Sequence, residues 1–145
     1  MDQRPEAPSH ETRPAPRVLF VCVKNGGKSQ MAAALLRSLA GDAVEVSSAG
    51  TRPGEGLNAL SVASLDAVGA STAGERPRQL TEDMMRVADR VIVLGAEAEL
   101  PQVAGVTVER WITDEPSERG IDGRERMDLV RDDIAARVRT LLAEL

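Results

Sequence analysis

The chain has 145 residues, 18 basic and 23 acidic, a net charge of −5, and only 1 cysteine, 1 histidine, 1 tryptophan and 1 phenylalanine. That length is one ordinary domain. One thiol excludes an internal disulfide or thiol relay, a lone His10 excludes Cys/His metal clusters and argues against a Ser–His–Asp triad, and an acidic chain poor in aromatics lacks both the phosphate grip and the stacking platform of a nucleic-acid binder.

Residues 1–16 read as a disordered tail. Pro5, Pro8, Pro14 and Pro16 lie there, and Met1, Ala7 and Ala15 are its only apolar residues, too few to offset the entropy of ordering. The folded domain is expected over 17–145. Val18–Val23 is a continuous apolar run, the pattern of a strand buried on both faces. It is the longest such run and far too short to cross a membrane. No N-terminal apolar segment reads as a secretory signal, and a free thiol suits a reducing compartment, so the expected location is the cytoplasm, with no membrane partner.

Lys24-Asn25-Gly26-Gly27 is a turn cluster. Ser29–Leu39 reads as a helix with Met31, Leu35 and Leu39 on one face and Gly41 as its stop. Val44–Val46 begins a second strand, ended by Ser48-Ala49-Gly50-Thr51. Asn58–Val68 is helical, with Leu60, Ala63, Leu65 and Val68 as apolar positions and Gly69 at its end. Thr81 caps a helix start at Glu82 and Asp83, and Met84 and Met85 read as packing. Arg90–Leu94 is a third strand, and Val106–Ile112 a fourth. The last helix runs from about Asp122 to Leu145 on a stripe of Met127, Val130, Ile134, Val138, Leu141 and Leu145. Its charged runs, Arg124–Arg126 and Arg131–Asp133, read as a solvated face of mixed-sign pairs. The alternation predicts a single α/β domain with a four-stranded, mainly parallel sheet flanked by helices on both faces. In such sheets ligands bind beyond the carboxyl ends of the strands, where the first strand delivers Cys22.

The junction Cys22-Val23-Lys24-Asn25-Gly26-Gly27-Lys28-Ser29 carries the chemistry. A thiol ends a buried strand, a Gly-containing loop follows, and a helix begins. Backbone N–H groups of such a loop converge in front of the helix N-terminus and form a site for a tetrahedral anion. The same donors, with Lys24 and Lys28, meet the charge of a thiolate, so Cys22 is read as a nucleophile aimed at an oxyanion. Ser29 is suited to donate to the sulfur, and Asn25 to a left-handed backbone position that ties the loop together. An inert core thiol is the commoner role for a cysteine after an apolar run, but it needs no anion loop. A nucleotide-binding Gly-x4-Gly-Lys-Ser/Thr loop fits less well, because Cys22 stands where its first Gly belongs.

Cys22-x5-Lys28-Ser29 after a Val-rich strand resembles the loop of the low-molecular-weight protein tyrosine phosphatases and of the thiol-coupled arsenate reductases that share their fold. Asn25 stands where that family keeps a loop-structuring Asn. Ser48-Ala49-Gly50-Thr51 resembles its Ser-Ala-Gly-Thr, Arg78-Gln79-Leu80 its Arg-x-Leu segment, and Asp89–Leu94 its third strand. Trp111-Ile112-Thr113-Asp114-Glu115-Pro116 resembles the loop that carries its general acid. The matches span about 18–145 in the family's order. The resemblance implies Cys22, Lys28 and Ser29 as catalytic residues. It implies Val23, Lys24, Asn25, Gly26, Gly27, Lys28 and Ser29 as the anion cradle, with Thr51 and Arg52 at its rim. Asp114 or Glu115 is the acid; Asp114 is preferred, because the reductase branch often has acidic residues at both positions. No metal and no bound cofactor are implied. Two departures stand out. The loop's usual Arg, a planar fork for two oxygens, is the point charge Lys28. The acid usually sits directly before Pro, where Glu115 stands here.

Three functions follow from this resemblance. The chain is similar to single-cysteine arsenate reductases that join arsenate to an external low-molecular-weight thiol such as mycothiol. A mycoredoxin-type redoxin then reduces the adduct. A Lys in the loop belongs to that branch. The alternative is a phosphatase for phosphotyrosine or a small phosphoester, against which the neighbourhoods Arg52–Gly56 and Ser117–Arg119 offer no aromatic wall for a phenyl ring. The further alternative is a non-catalytic module that only binds arsenate or phosphate.

Overall fold

Arg17–Cys22 forms β1, and Val18, Leu19, Phe20 and Val21 in it are each at most 1% exposed. Only a strand covered on both faces can bury such a run. The computed structural model describes residues 14–145; most of the expected tail, with His10, lies outside the described residues. The other elements are α1 (Lys28–Ala40), β2 (Glu45–Gly50), α2 (Ala59–Asp66), α3 (Glu82–Val87), β3 (Arg90–Leu94), β4 (Val108–Trp111) and α4 (Gly123–Glu144). The four strands make one sheet in the order β2-β1-β3-β4, and every pairing is parallel. The chain therefore leaves β1 toward one edge and β3 toward the other. The carboxyl end of β1, with Cys22, sits at that switch point.

Val18, Phe20 and Ile92 face α1, α2 and α4, where Met31, Leu36, Leu65, Ile134 and Val138 complete the larger core. Leu19, Val21, Val91 and Val93 face the other way, against Met85 of α3 and Ala98 and Val103 of the long β3–β4 connection. Helices thus flank both faces, three on one side and a single short one on the other. Phe20 packs on Trp111, ring centroids 5.9 Å apart, so both aromatic side chains serve the core.

Several expectations are corrected. β2 continues through Ser47–Gly50 because these residues pair with Leu19–Cys22. β4 is shorter than expected: Val106 is held in a turn by its N–H to Val103 O, and Ile112 leaves the sheet 58% exposed. Leu39 is exposed because only Ser29–Leu36 of α1 are enclosed. The stripe of α4 ends at Leu141, leaving Leu145 at the surface end. The helix expected over Asn58–Val68 is α2, which ends at Asp66; Leu60 in it and Val68 in the turn beyond are exposed, while Ser61 and Ser64 are buried. The serines find partners on α4, Ser64 Oγ donating to Asp128 Oδ1 at 2.6 Å, and their small volume lets the helices approach. Arg131 is not simply solvated: its Nη1 donates to Ser64 O at 2.9 Å.

Gly50 marks the closest backbone approach beside the loop. A Cβ there would lie 2.6 Å from Val23 O and 3.0 Å from Asn25 N, both main-chain atoms that have no rotamer to yield. Gly50→Ala is expected to cost about 1–3 kcal/mol, read as a lower urea midpoint with an unchanged m-value.

Candidate active site

The loop after β1 turns on Asn25, which has φ 55°, the only positive φ at a non-glycine among the described residues. Asn tolerates that conformation better than most residues. Its side chain is fully buried and hydrogen-bonded at both ends of the amide. Arg78 N donates to Oδ1 at 3.0 Å, and Nδ2 donates to Ser29 Oγ at 2.8 Å. Gln30 Nε2 donates to Asn25 O at 3.1 Å. The same Ser29 oxygen lies 2.9 Å from Cys22 Sγ, and its hydroxyl is the donor of that bond when the sulfur is a thiolate, which has no proton to give. The Asn25 N–H also reaches that sulfur at 3.3 Å. Two donors therefore point at one half-buried thiol, an arrangement that meets the charge of a thiolate.

The loop's carbonyls face outward. Thr51 N donates to Cys22 O, Arg52 N to Val23 O, Gly54 N to Lys24 O and Asn58 N to Gly26 O, at 2.7–3.1 Å. With those oxygens engaged, the N–H groups of Lys24, Gly26, Gly27, Lys28 and Ser29 have no acceptor among the described residues. Gly27, at the head of α1, offers no capping side chain, and no acidic residue lies in the first turn. Free N–H groups at a helix start form an anion cradle. Gly26 permits the close wall, since a Cβ there would meet Gly56 O at 2.7 Å. Thr51 and Arg52 border the loop through their main chain. Lys28 is half-buried at the cradle's end, and Lys24 is exposed.

The two expected acids lie in the loop after β4, at the same edge of the sheet as Cys22. Each is held in an arginine fork. Arg119 donates to Asp114 Oδ1 and Oδ2 at 2.8 and 3.1 Å, which holds the Asp114 carboxyl below its ordinary range. Arg126 donates to Glu115 Oε2 and Oε1 at 2.6 and 2.8 Å, and Ser117 Oγ adds a bond at 2.7 Å. These contacts bring Glu115 from the ordinary 4.5 to about 2. In this conformation both groups are ionised carboxylates rather than proton donors, because each faces a guanidinium. They differ in freedom: Glu115 is pinned to α4, whereas Asp114 pairs with the exposed Arg119 of its own turn.

Residues that the sequence reading left aside also shape the site. Arg78 serves through its main chain. Residues 54–58 wall the loop, and Gln30 braces it from α1. Arg126 and Asp133, read as surface charges, and Arg137 reach the loop after β4 from α4.

A thiol heading a cradle of backbone N–H groups, at the switch point of a parallel sheet, defines an α/β protein of the cysteine anion-loop class. The chain belongs to the low molecular weight phosphotyrosine protein phosphatase family, whose sequence model matches residues 17–145. Arsenate reductase 1 of Staphylococcus epidermidis is 30% identical over 128 residues, 85% of this chain and 92% of that one. Among solved structures, the thioredoxin-dependent arsenate reductase of Corynebacterium glutamicum superposes with a TM-score of 0.77 at 33% identity, over 92% of this chain. The chain spans 63% of that protein's length. An arsenate reductase in a phosphate-binding state superposes at 0.74 with 27% identity, over 89% of this chain and 98% of that one.

Two outcomes follow from this geometry. Asn25→Ala strands Ser29 Oγ and Arg78 N and puts Ala in a left-handed conformation. The expected loss is about 2–4 kcal/mol, seen by thermal melting, with slower alkylation of Cys22 by iodoacetamide. Glu115 lies lower in the folded chain than its ordinary 4.5, so its stabilising contribution is complete above that pH and fades as pH falls toward 2. Glu115→Gln is expected to melt below wild type at pH 7, with the two curves converging between pH 4.5 and 2.

Proposed function

We propose that this chain is an arsenate reductase of the arsenate–thiol transferase type. The observation that carries the reading is that Cys22, the chain's 1 cysteine, heads an anion loop with Asn25 N–H donating to its sulfur and the Ser29 hydroxyl hydrogen-bonded to it. No second thiol is available to the chain to form a disulfide. The cradle of N–H groups with Lys28 holds the tetrahedral arsenate. The Cys22 thiolate bonds to arsenic as one hydroxyl departs as water, its proton supplied by Asp114 once released from Arg119. An external thiolate, mycothiol or a similar small thiol, then takes the arsenic and frees Cys22. A second thiol, from a mycoredoxin-type redoxin, attacks the sulfur of that adduct. A disulfide forms, two electrons pass to arsenic, and arsenite leaves. The lone thiol stays reduced in a cytoplasm, the compartment proposed for it.

The relatives named as arsenate reductases support arsenate as the substrate; the external thiol is our inference from the lone Cys22. The absence of an aromatic wall supports arsenate too: Phe20 and Trp111 pack on each other, and residues 52–57 and 117–119 carry no aromatic side chain. A phenyl substrate would lose its stacking contacts there, while a small inorganic anion loses nothing. Lys28 disfavours the phosphatase alternative further, since it replaces a bidentate clamp with a single charge.

The test is a paired assay on the purified chain. Arsenate with mycothiol and mycoredoxin is expected to yield arsenite, and Cys22→Ser to reduce the yield to background. Replacing the thiol pair with thioredoxin alone is expected to give little turnover. Aryl phosphate without thiol is expected to be hydrolysed slowly, and faster in Lys28→Arg. Brisk aryl phosphate hydrolysis by wild type with no arsenite formed would establish the phosphatase instead. Arsenate binding by calorimetry with no turnover in either arm would leave only an anion-binding module.

A further inference from the structure

The main chain on either side of Thr113 is gripped by one turn of α4. Asp133 Oδ2 accepts from Asp114 N at 2.7 Å. Arg137 Nη2 donates to Ile112 O at 2.9 Å, and Arg137 Nε reaches Asp133 Oδ1 at 3.3 Å. In an extended segment the C=O of one residue and the N–H of the second residue on point to the same side, as in a sheet ladder. The burial pattern has that alternation: Ile112 is 58% exposed, Thr113 8%, and the Asp114 side chain 38%. Past the end of β4, the Asp133–Arg137 pair thus supplies the donor and the acceptor that another strand's backbone would supply.

Glu115 is fixed differently. Its own carboxylate is taken by Arg126, about two to three turns earlier on the same helix. Asp114 is the residue of the loop whose backbone is clamped while its carboxylate stays outside the clamp, on the exposed Arg119.

We propose that Asp133 and Arg137 are positioning residues for Asp114. They fix its Cα and backbone direction so that the carboxylate pivots about χ1 between Arg119 and the departing oxygen, while Arg126 makes Glu115 an anchor rather than an acid. This rests on the functional reading above, in which Asp114 supplies the proton. Misplacing a catalytic group by about 1 Å can cost on the order of 10²-fold in rate, so a clamp of two charge-assisted bonds is enough to matter.

The test compares Asp133→Ala, Asp133→Asn and wild type. Asn keeps an oxygen for the Asp114 N–H, whereas Ala removes it. In the thiol-coupled arsenate assay, Asp133→Ala is expected to lower kcat about tenfold or more, with KM for arsenate within twofold because the anion loop is untouched. Asp133→Asn is expected to restore most of kcat. Amide exchange at Asp114 is expected to quicken in Asp133→Ala and to return toward wild type in Asp133→Asn. Unchanged kcat in Asp133→Ala would overturn the proposal. So would a parallel loss of arsenate affinity by calorimetry, which marks a merely structural role. If wild type reduces no arsenate, the functional reading fails and the catalytic meaning of the clamp with it. A slow Asp114 amide in wild type, lost in Asp133→Ala, would then leave only a loop brace.

Discussion

The site depends on how one buried amide is satisfied. Asn25 lies fully inside the protein in a left-handed conformation, and an unbonded amide there would be costly. Its two ends are polar in opposite senses, so the partners set a direction. Arg78 N–H claims the oxygen, which turns the NH₂ toward Ser29, whose hydroxyl in turn is hydrogen-bonded to the sulfur. Reversing the amide would break two bonds at once. The surroundings of the Cys22 thiol are thus set by a chain of bonds that begins more than fifty residues away, in the segment bridged to the end of β2.

The same end of the sheet collects three other constraints. Segment 51–58 takes the loop's carbonyls, which leaves its N–H groups for an anion. Gly26 and Gly50 allow main chain to lie where a Cβ would collide. α4 reaches across from the far side of the larger core, its Arg126, Asp133 and Arg137 taking hold of residues 112–115. A parallel sheet makes this convergence possible, because every strand delivers its carboxyl end to one edge. The anion loop and the acid loop belong to different strands, yet both are built at that edge.

The two carboxylates of the acid loop show how local chemistry divides roles between neighbours. Asp114 and Glu115 are adjacent and both ionised, each in an arginine fork. One fork belongs to a long helix and is fixed; the other belongs to a short exposed turn. A carboxylate in a guanidinium fork holds no proton near neutral pH. The proton donation proposed for Asp114 therefore requires Arg119 to move, and the ionic grip on Asp114 is the weaker of the two because water screens it more.

Much of this was legible in the amino-acid order. The run Val18–Cys22, the Gly-containing turn and the Ala-rich helix declare a buried strand, a loop and a close-packed helix, since local periodicity and backbone tolerance alone decide them. The single thiol, the Asn suited to positive φ and the missing aromatic rim were equally visible. What periodicity could not reveal was which side of a short helix is buried: α2 hides Ser61 and Ser64 because α4 offers them Met127 and Asp128. Nor could spacing show that Asp133 and Arg137 reach a loop about twenty residues away, or that both expected acids would meet an arginine. Sequence determined the thiol and the loop that follows it, because those lie within one local stretch. The tertiary structure decided the wiring of Asn25, the wall around the loop and the state of the carboxylates, because each depends on partners that only folding brings within hydrogen-bond reach.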